Sequence, residues 1–372
     1  MLLRITNEPR PYPWGSHDAI AAFRGTEASG QPEAEVWLGT HPGSAARLVH
    51  EPHTTLAAWL ARHRATGSLP FLVKILAAAA PLSLQAHPTP EQARVGFARE
   101  NAAGIPVDAP HRNYRDDNAK PEMIIALSDP FLALCGFRPV AESRAELAAV
   151  GDPRLEPLIA RLGDEAALRV AVPWLLGRGA EVDAVVDALQ QWGERAESPT
   201  ALTVRRLATA YPGDPGVAIS TLMHTVRLAR GEALYLPAGN LHAYLDGLGI
   251  EVMATSDNVL RGGLTSKHID VDELLRVVDF DPLPAPRMVP VVDGPRAVYR
   301  PDVPDFAVQV VSGRNGARVP LDGPAIAIVI EGACVLEGDE TLRRGEAVYL
   351  DEIESLRVDG DGTLLIATAN AA

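Results

Sequence analysis

The segment Arg230-Gly231-Glu232-Ala233-Leu234-Tyr235-Leu236 recurs almost unchanged as Arg344-Gly345-Glu346-Ala347-Val348-Tyr349-Leu350. A repeat of this kind predicts a chain built from two related units. Each copy is a Gly-Glu turn followed by an alternating strand, so both units are β in character. Directly afterwards the copies diverge. The first continues Pro237-Ala238-Gly239-Asn240-Leu241-His242 and the second Asp351-Glu352-Ile353-Glu354-Ser355-Leu356, so Leu356 stands where the first copy has His242. Two related β-barrels are expected, and only the first has an imidazole to offer a metal at this point.

The remaining texture fits that frame. At 372 residues the chain suggests two or three structural units. From Ile5 to about Pro139, short apolar or alternating runs such as Glu35–Gly39 and Phe71–Leu76 are divided by Gly, Pro and His-Pro. A helix interrupts them at Pro90 to Asn101, where Thr89 can cap, Pro90 suits the first turn and Glu91 favours the dipole. From about Ala141, apolar residues recur at three and four, as in Leu155, Leu158, Ile159 and Leu162. The stretch Tyr211-Pro212-Gly213-Asp214-Pro215-Gly216 then ends the helical pattern. The expected division is a mainly β chain with a catalytic barrel from 1–140 and 213–284, a helical insertion at 141–212, and a degenerate second barrel at 285–372.

Charge and composition exclude several classes. Lys plus Arg total 34 against 48 Asp plus Glu, a net charge of -14, with no Lys/Arg-rich run; nucleic acid is therefore not an expected partner. The start MLLRITNEPRPYPWG lacks the apolar core of a signal peptide, and the longest uncharged apolar run, Ile75 to Ala86, is too short to span a bilayer. A cytoplasmic protein without a membrane partner is expected. Its two cysteines, Cys135 and Cys334, lie far apart in apolar segments and read as buried thiols. Any metal must use other ligands.

Candidates for such ligands stand in three places. Gln85 and His87 are two apart in Ser83-Leu84-Gln85-Ala86-His87-Pro88, so on a strand both project from one face. Glu122 follows Lys120-Pro121, and His242 follows the first repeat strand. Two imidazoles, a carboxylate and an amide oxygen form a singly anionic set that leaves room for water or substrate oxygens, the mark of a catalytic metal. Two histidines and a carboxylate would also suit a non-haem iron oxygenase, against which Gln85 and the basic residues speak.

The segments SLQAHP, YRDDNAKPEM, PAGNLHAY and GIEVMATSDNVLRGGLTSKHIDVDELL, with YPWGSHDA, AEVWLGTHP, LPFLVKIL and FLALCGFRP, resemble the successive signatures of type I mannose-6-phosphate isomerases, members of the cupin superfamily. The resemblance covers most of residues 1–140 and 217–280. It implies a fold of two cupin-like barrels, one Zn2+ per chain held by Gln85, His87, Glu122 and His242, and a sugar phosphate as substrate. It further implies that Arg261 acts at the reacting centre and that Lys74, Ser83 and Lys267 bind the substrate phosphate. For the proton-transfer base, Glu251 and Lys120 both stand open. Two departures are visible: Ala119 where the family commonly has a His before Lys-Pro-Glu, and Ser266 where a Pro usually precedes the Lys. The alternative is a non-catalytic sugar-binding or metal-binding cupin protein. Either is expected as a monomer or weak homodimer.

Overall fold

The computed structural model describes the whole chain except residues 65–66, 283, 285–286, 315 and 371–372. Antiparallel sheets dominate, as the alternating segments lead one to expect. One sheet of ten strands is organised by the long strand His242–Ala254, which pairs along its length with Phe71–Ala78, Leu84–Ala86, Glu122–Ala126 and Phe131–Phe137. An eight-stranded sheet and a four-stranded sheet carry most of the C-terminal residues. No helix among the described residues is long and apolar enough to cross a membrane.

The repeat is physical as well as textual. Gly231 and Gly345 both sit in left-handed backbone, at φ 86° and 84°. In each turn the following glutamate accepts from the backbone N–H three residues before it: Glu232 from Ala229 at 2.8 Å, Glu346 from Arg343 at 2.7 Å. The strands that follow face the same way. Ala233 and Tyr235, like Ala347 and Tyr349, pack into one apolar core shared by the two units, together with Ile75, Ile125 and Val252 of the first and Ile328 and Leu365 of the second. Leu234 and Leu236 point instead into the first unit, and Val348 and Leu350 into the second.

The helices expected at 141–212 interrupt the first unit, running from Val140–Val150 to Pro199–Ala210 and followed by a short turn of helix at Gly216–Ser220. Their leucines and valines pack into a core that also takes in Leu84, Leu134, Leu245 and Leu260 of that unit. The helix Pro90–Ala102 starts at Thr89 with both halves of a capping box, closed by Gln92.

Two strands cross the expected partition. Leu2–Thr6 pairs with Ala347–Leu350 in the eight-stranded sheet, placing the start of the chain with its end. Arg287–Met288 pairs with Ala233 and Leu234 in the ten-stranded sheet, beyond the cut expected at 284. In both cases the added strand covers a backbone edge that would otherwise be unpaired.

Candidate metal centre and active-site cavity

Strand register assembles the centre. His242 stands opposite Gln85, and Gln85 stands opposite Arg261, so the three form a row across neighbouring strands with side chains on one face. Further along the same long strand, Glu251 stands opposite Lys74, and Met253 opposite Glu122. All of these except His242 line a cavity of about 600 Å³, which also takes in Ser83, Lys120, Tyr244 and Lys267.

His87 and His242 are buried below it. The Nδ1 of His87 lies 2.7 Å from the carbonyl of Asn258, and that of His242 lies 2.9 Å from the carbonyl of Asn240. A carbonyl only accepts, so each Nδ1 carries a proton, and in the neutral ring Nε2 then keeps a lone pair. The two Nε2 atoms are 3.3 and 3.4 Å from the two oxygens of Glu122 yet make no hydrogen bond. All three groups place a donor atom within 4.8 Å of the others. Two fully buried, unpartnered lone pairs aimed at one carboxylate would be costly as a structural feature and suit a divalent cation well.

The charge states agree. Burial holds His87 down to about 4, so it is neutral at pH 7 despite the pull of Glu122. Burial would raise Glu122, but Lys120 and His87 outweigh it and keep the carboxyl well below its usual range. Lys120 Nζ is 2.7 Å from Glu122 Oε1.

Beside this centre, Lys74 Nζ is buried 3.0 Å from Glu251 and 3.5 Å from Glu35, 5.0 Å over the ring of Trp37. Burial opposes its charge, and the two carboxylates more than restore it, so Lys74 titrates above its ordinary value. Burial pushes Glu251 up, against the pull of Lys74. Arg261 and Lys267, by contrast, have no carboxylate partner among the described residues; burial and then their cationic neighbours lower both. Lys74 is thus compensated, while Arg261 and Lys267 are not.

Some residues here have no mark in the sequence. Tyr244 places a buried hydroxyl on the cavity with no hydrogen-bond partner; its position two residues after His242 on a strand was the available signal. Glu35 is another. Ala119 is half-buried beside Lys120. The chain contains only three lysines, Lys74, Lys120 and Lys267, and all three line this cavity.

Residues 2–140 match the model of the phosphomannose isomerase type I catalytic domain. The mannose-6-phosphate isomerase of Escherichia coli K12 is 36% identical, with 97% of this chain and 98% of that protein aligned. The chain belongs to the type I phosphomannose isomerase family. The human mannose-6-phosphate isomerase is 31% identical with 96% of each covered, so the likeness reaches well beyond bacterial members of the family. Among solved structures, a zinc-bound mannose 6-phosphate isomerase superposes with a TM-score of 0.92 at 34% identity over the full length of both chains. A phosphomannose isomerase fold therefore extends through the helical insertion and the C-terminal strands, and the alignment to the Escherichia coli protein runs through them as well.

Proposed function

We infer that the chain is a zinc-dependent isomerase interconverting mannose 6-phosphate and fructose 6-phosphate. The carrying observation is the pair of buried imidazoles whose free Nε2 atoms converge on Glu122 beneath a cavity furnished with cations. The zinc-bound relative supports zinc as the metal. His87, Glu122 and His242 would hold it, with Gln85 as an amide donor from the adjoining strand. When bound, zinc supplies a Lewis acid that polarises the substrate carbonyl. A non-catalytic cupin is not favoured, because the ligand set and the acid–base groups are all retained around one cavity.

The reaction moves a proton between C1 and C2 through an enediol. We assign the shuttle to Glu251, whose raised carboxyl sits 3.0 Å from Lys74, so that the pair can hold one mobile proton between them. The two carboxylates on Lys74 favour this role over the direct phosphate contact expected of it. Lys120 holds Glu122 in place and presents its remaining donors to the cavity. Arg261, in register with Gln85, can span two neighbouring oxygens with its planar fork as negative charge develops on them. Lys267 and Ser83 are left to meet the phosphate. Two free, buried cysteines fit the reducing cytoplasm in which such a sugar phosphate would be handled.

The test is metal analysis joined to a coupled isomerase assay. Chelation should abolish turnover and zinc should restore it, whereas full activity in rigorously metal-free protein overturns the proposal. Glu251→Gln should retain zinc yet lose exchange of solvent deuterium into the substrate; unchanged exchange would move the base elsewhere.

A further inference from the structure

The amines of this chain are few and sharply divided. Lys74 and Lys120 are buried with their ammonium groups on carboxylates, and the amine of Met1 donates to the carbonyl of Asp351 at 2.6 Å. Lys267 alone is an exposed lysine, and its Nζ makes no ion pair or hydrogen bond among the described residues. Its backbone N–H donates to Thr265 Oγ1 at 3.0 Å, which fixes the loop at the cavity mouth.

Two guanidiniums lie near enough to repel it. Arg261 lines the same cavity. Arg115 is exposed, and its backbone N–H donates at 2.7 Å to Asn258 Oδ1, tying it to the loop that leads into Arg261. Neither guanidinium has a carboxylate partner among the described residues, although acidic residues outnumber basic ones by 48 to 34 in the chain. Three uncompensated cations kept together in an acidic protein mark a place for an anion.

We propose that Lys267 is a covalent capture site for small aldehydes that carry a phosphate: Arg115 and Arg261 hold the anion, and the amine condenses with the carbonyl. The neutral amine attacks the carbonyl carbon, the C–N bond forms, and the carbonyl π electrons move to oxygen. The nitrogen then loses its protons, the oxygen leaves as water, and an imine remains. No oxidant or reductant is consumed. The fitting class is compact, its aldehyde only a few bonds from its phosphate, because both the anion holders and the amine lie at the mouth. An open-chain hexose 6-phosphate, with its aldehyde at the far end, would pass this amine by. Burial, and then the repulsion of Arg261 and Arg115, lower Lys267 from the usual lysine value, which enlarges its reactive neutral fraction at physiological pH. The proposal concerns a ligand other than the isomerase substrate, whose phosphate is assigned above to Lys267 and Ser83, and it is independent of the isomerisation step.

The experiment treats the zinc-loaded full chain with pyridoxal 5′-phosphate, traps the imine with borohydride, and reads intact mass and labelled peptides. A single label on Lys267 is expected, formed about tenfold or more faster than with unphosphorylated pyridoxal, the low end of what a cationic cleft adds to capture of an anion. Inorganic phosphate should slow labelling, Arg115→Ala should slow it, and Lys267→Arg should abolish it. Label on Lys74, Lys120 or the Met1 amine, equal rates with pyridoxal, or labelling that survives in Lys267→Arg overturns the proposal. Because mass is the readout, a failed capture and a failed isomerase assay remain distinguishable.

Discussion

His87 makes the metal site sensitive to acid in a direction that can be worked out. Its folded value of about 4 lies below the ordinary 6.5, so the unfolded chain binds more protons between those values. Stability of the metal-free protein therefore rises with pH across this window and is lost as pH falls through it. The gap corresponds to roughly 3 kcal/mol at 1.36 kcal/mol per pH unit. Urea midpoints of chelated wild type and His87→Gln at pH 4.5 and 7 check this; a wild-type midpoint that does not move would remove the perturbation. The role proposed for Arg261 lies in the transition state instead. Arg261→Ala should lower kcat by on the order of 10²–10³ with a smaller change in KM, and Arg261→Lys should rescue only in part. Steady-state kinetics with zinc content checked will decide, and a change confined to KM would assign the guanidinium to ground-state binding. The candidate ligands His87, Glu122 and His242, which the fold brings together, were legible because each sits in a short, distinctive segment, and Gln85, proposed as the fourth, stands opposite His242. The compensation of Lys74 was not, since Glu251 meets it only through strand pairing across 177 residues. Glu35 and Trp37 were obscure for a related reason: their strand is buried on both faces, which erases the polar alternation that would have pointed them inward.

The Gly-Glu turn tests the elements themselves. At φ near 85° an added Cβ is strained in both copies, so Gly231→Ala and Gly345→Ala should each cost about 1–2 kcal/mol. The second should cost more, because its Cβ would meet the backbone of Arg24 at 2.8 Å whereas the first meets open space. Thermal melts of the two variants measure the difference, and an equal loss would mean that the Arg24 contact relaxes freely. In the second unit, Leu356 is buried among Val311, Val358 and Leu364, an apolar filling with no place for a ligand set. Substituting Glu354 or Arg357 should therefore leave turnover near wild type, and a loss of several orders of magnitude in folded protein would relocate chemistry to this unit. Helices in the insertion were readable from spacing because each buries a single face. The strands Leu2–Thr6 and Arg287–Met288 were not, since their partners Ala347–Leu350 and Ala233–Leu236 lie far away in sequence and local pattern carries no record of the pairing.

For the whole molecule, the shared core has a calorimetric consequence. Ile75, Val252, Ile328 and Tyr349 pack into the same cluster, so neither β unit can open without exposing the apolar back of the other. A single heat-absorption peak is expected for the zinc-loaded chain, and two resolved peaks would show that the units melt independently. The union of the first strand with the last sheet reaches further, into biosynthesis. Leu2 pairs with Leu350, so the opening residues leave the ribosome long before their partner exists. At about 5–20 residues per second that delay is on the order of tens of seconds, during which this apolar segment has only the two-residue strand Arg47–Leu48 as a native neighbour and its other edge stands open. The nascent chain must complete its second unit before it can close its first strand, and the cell must keep that strand from finding another chain's edge in the meantime.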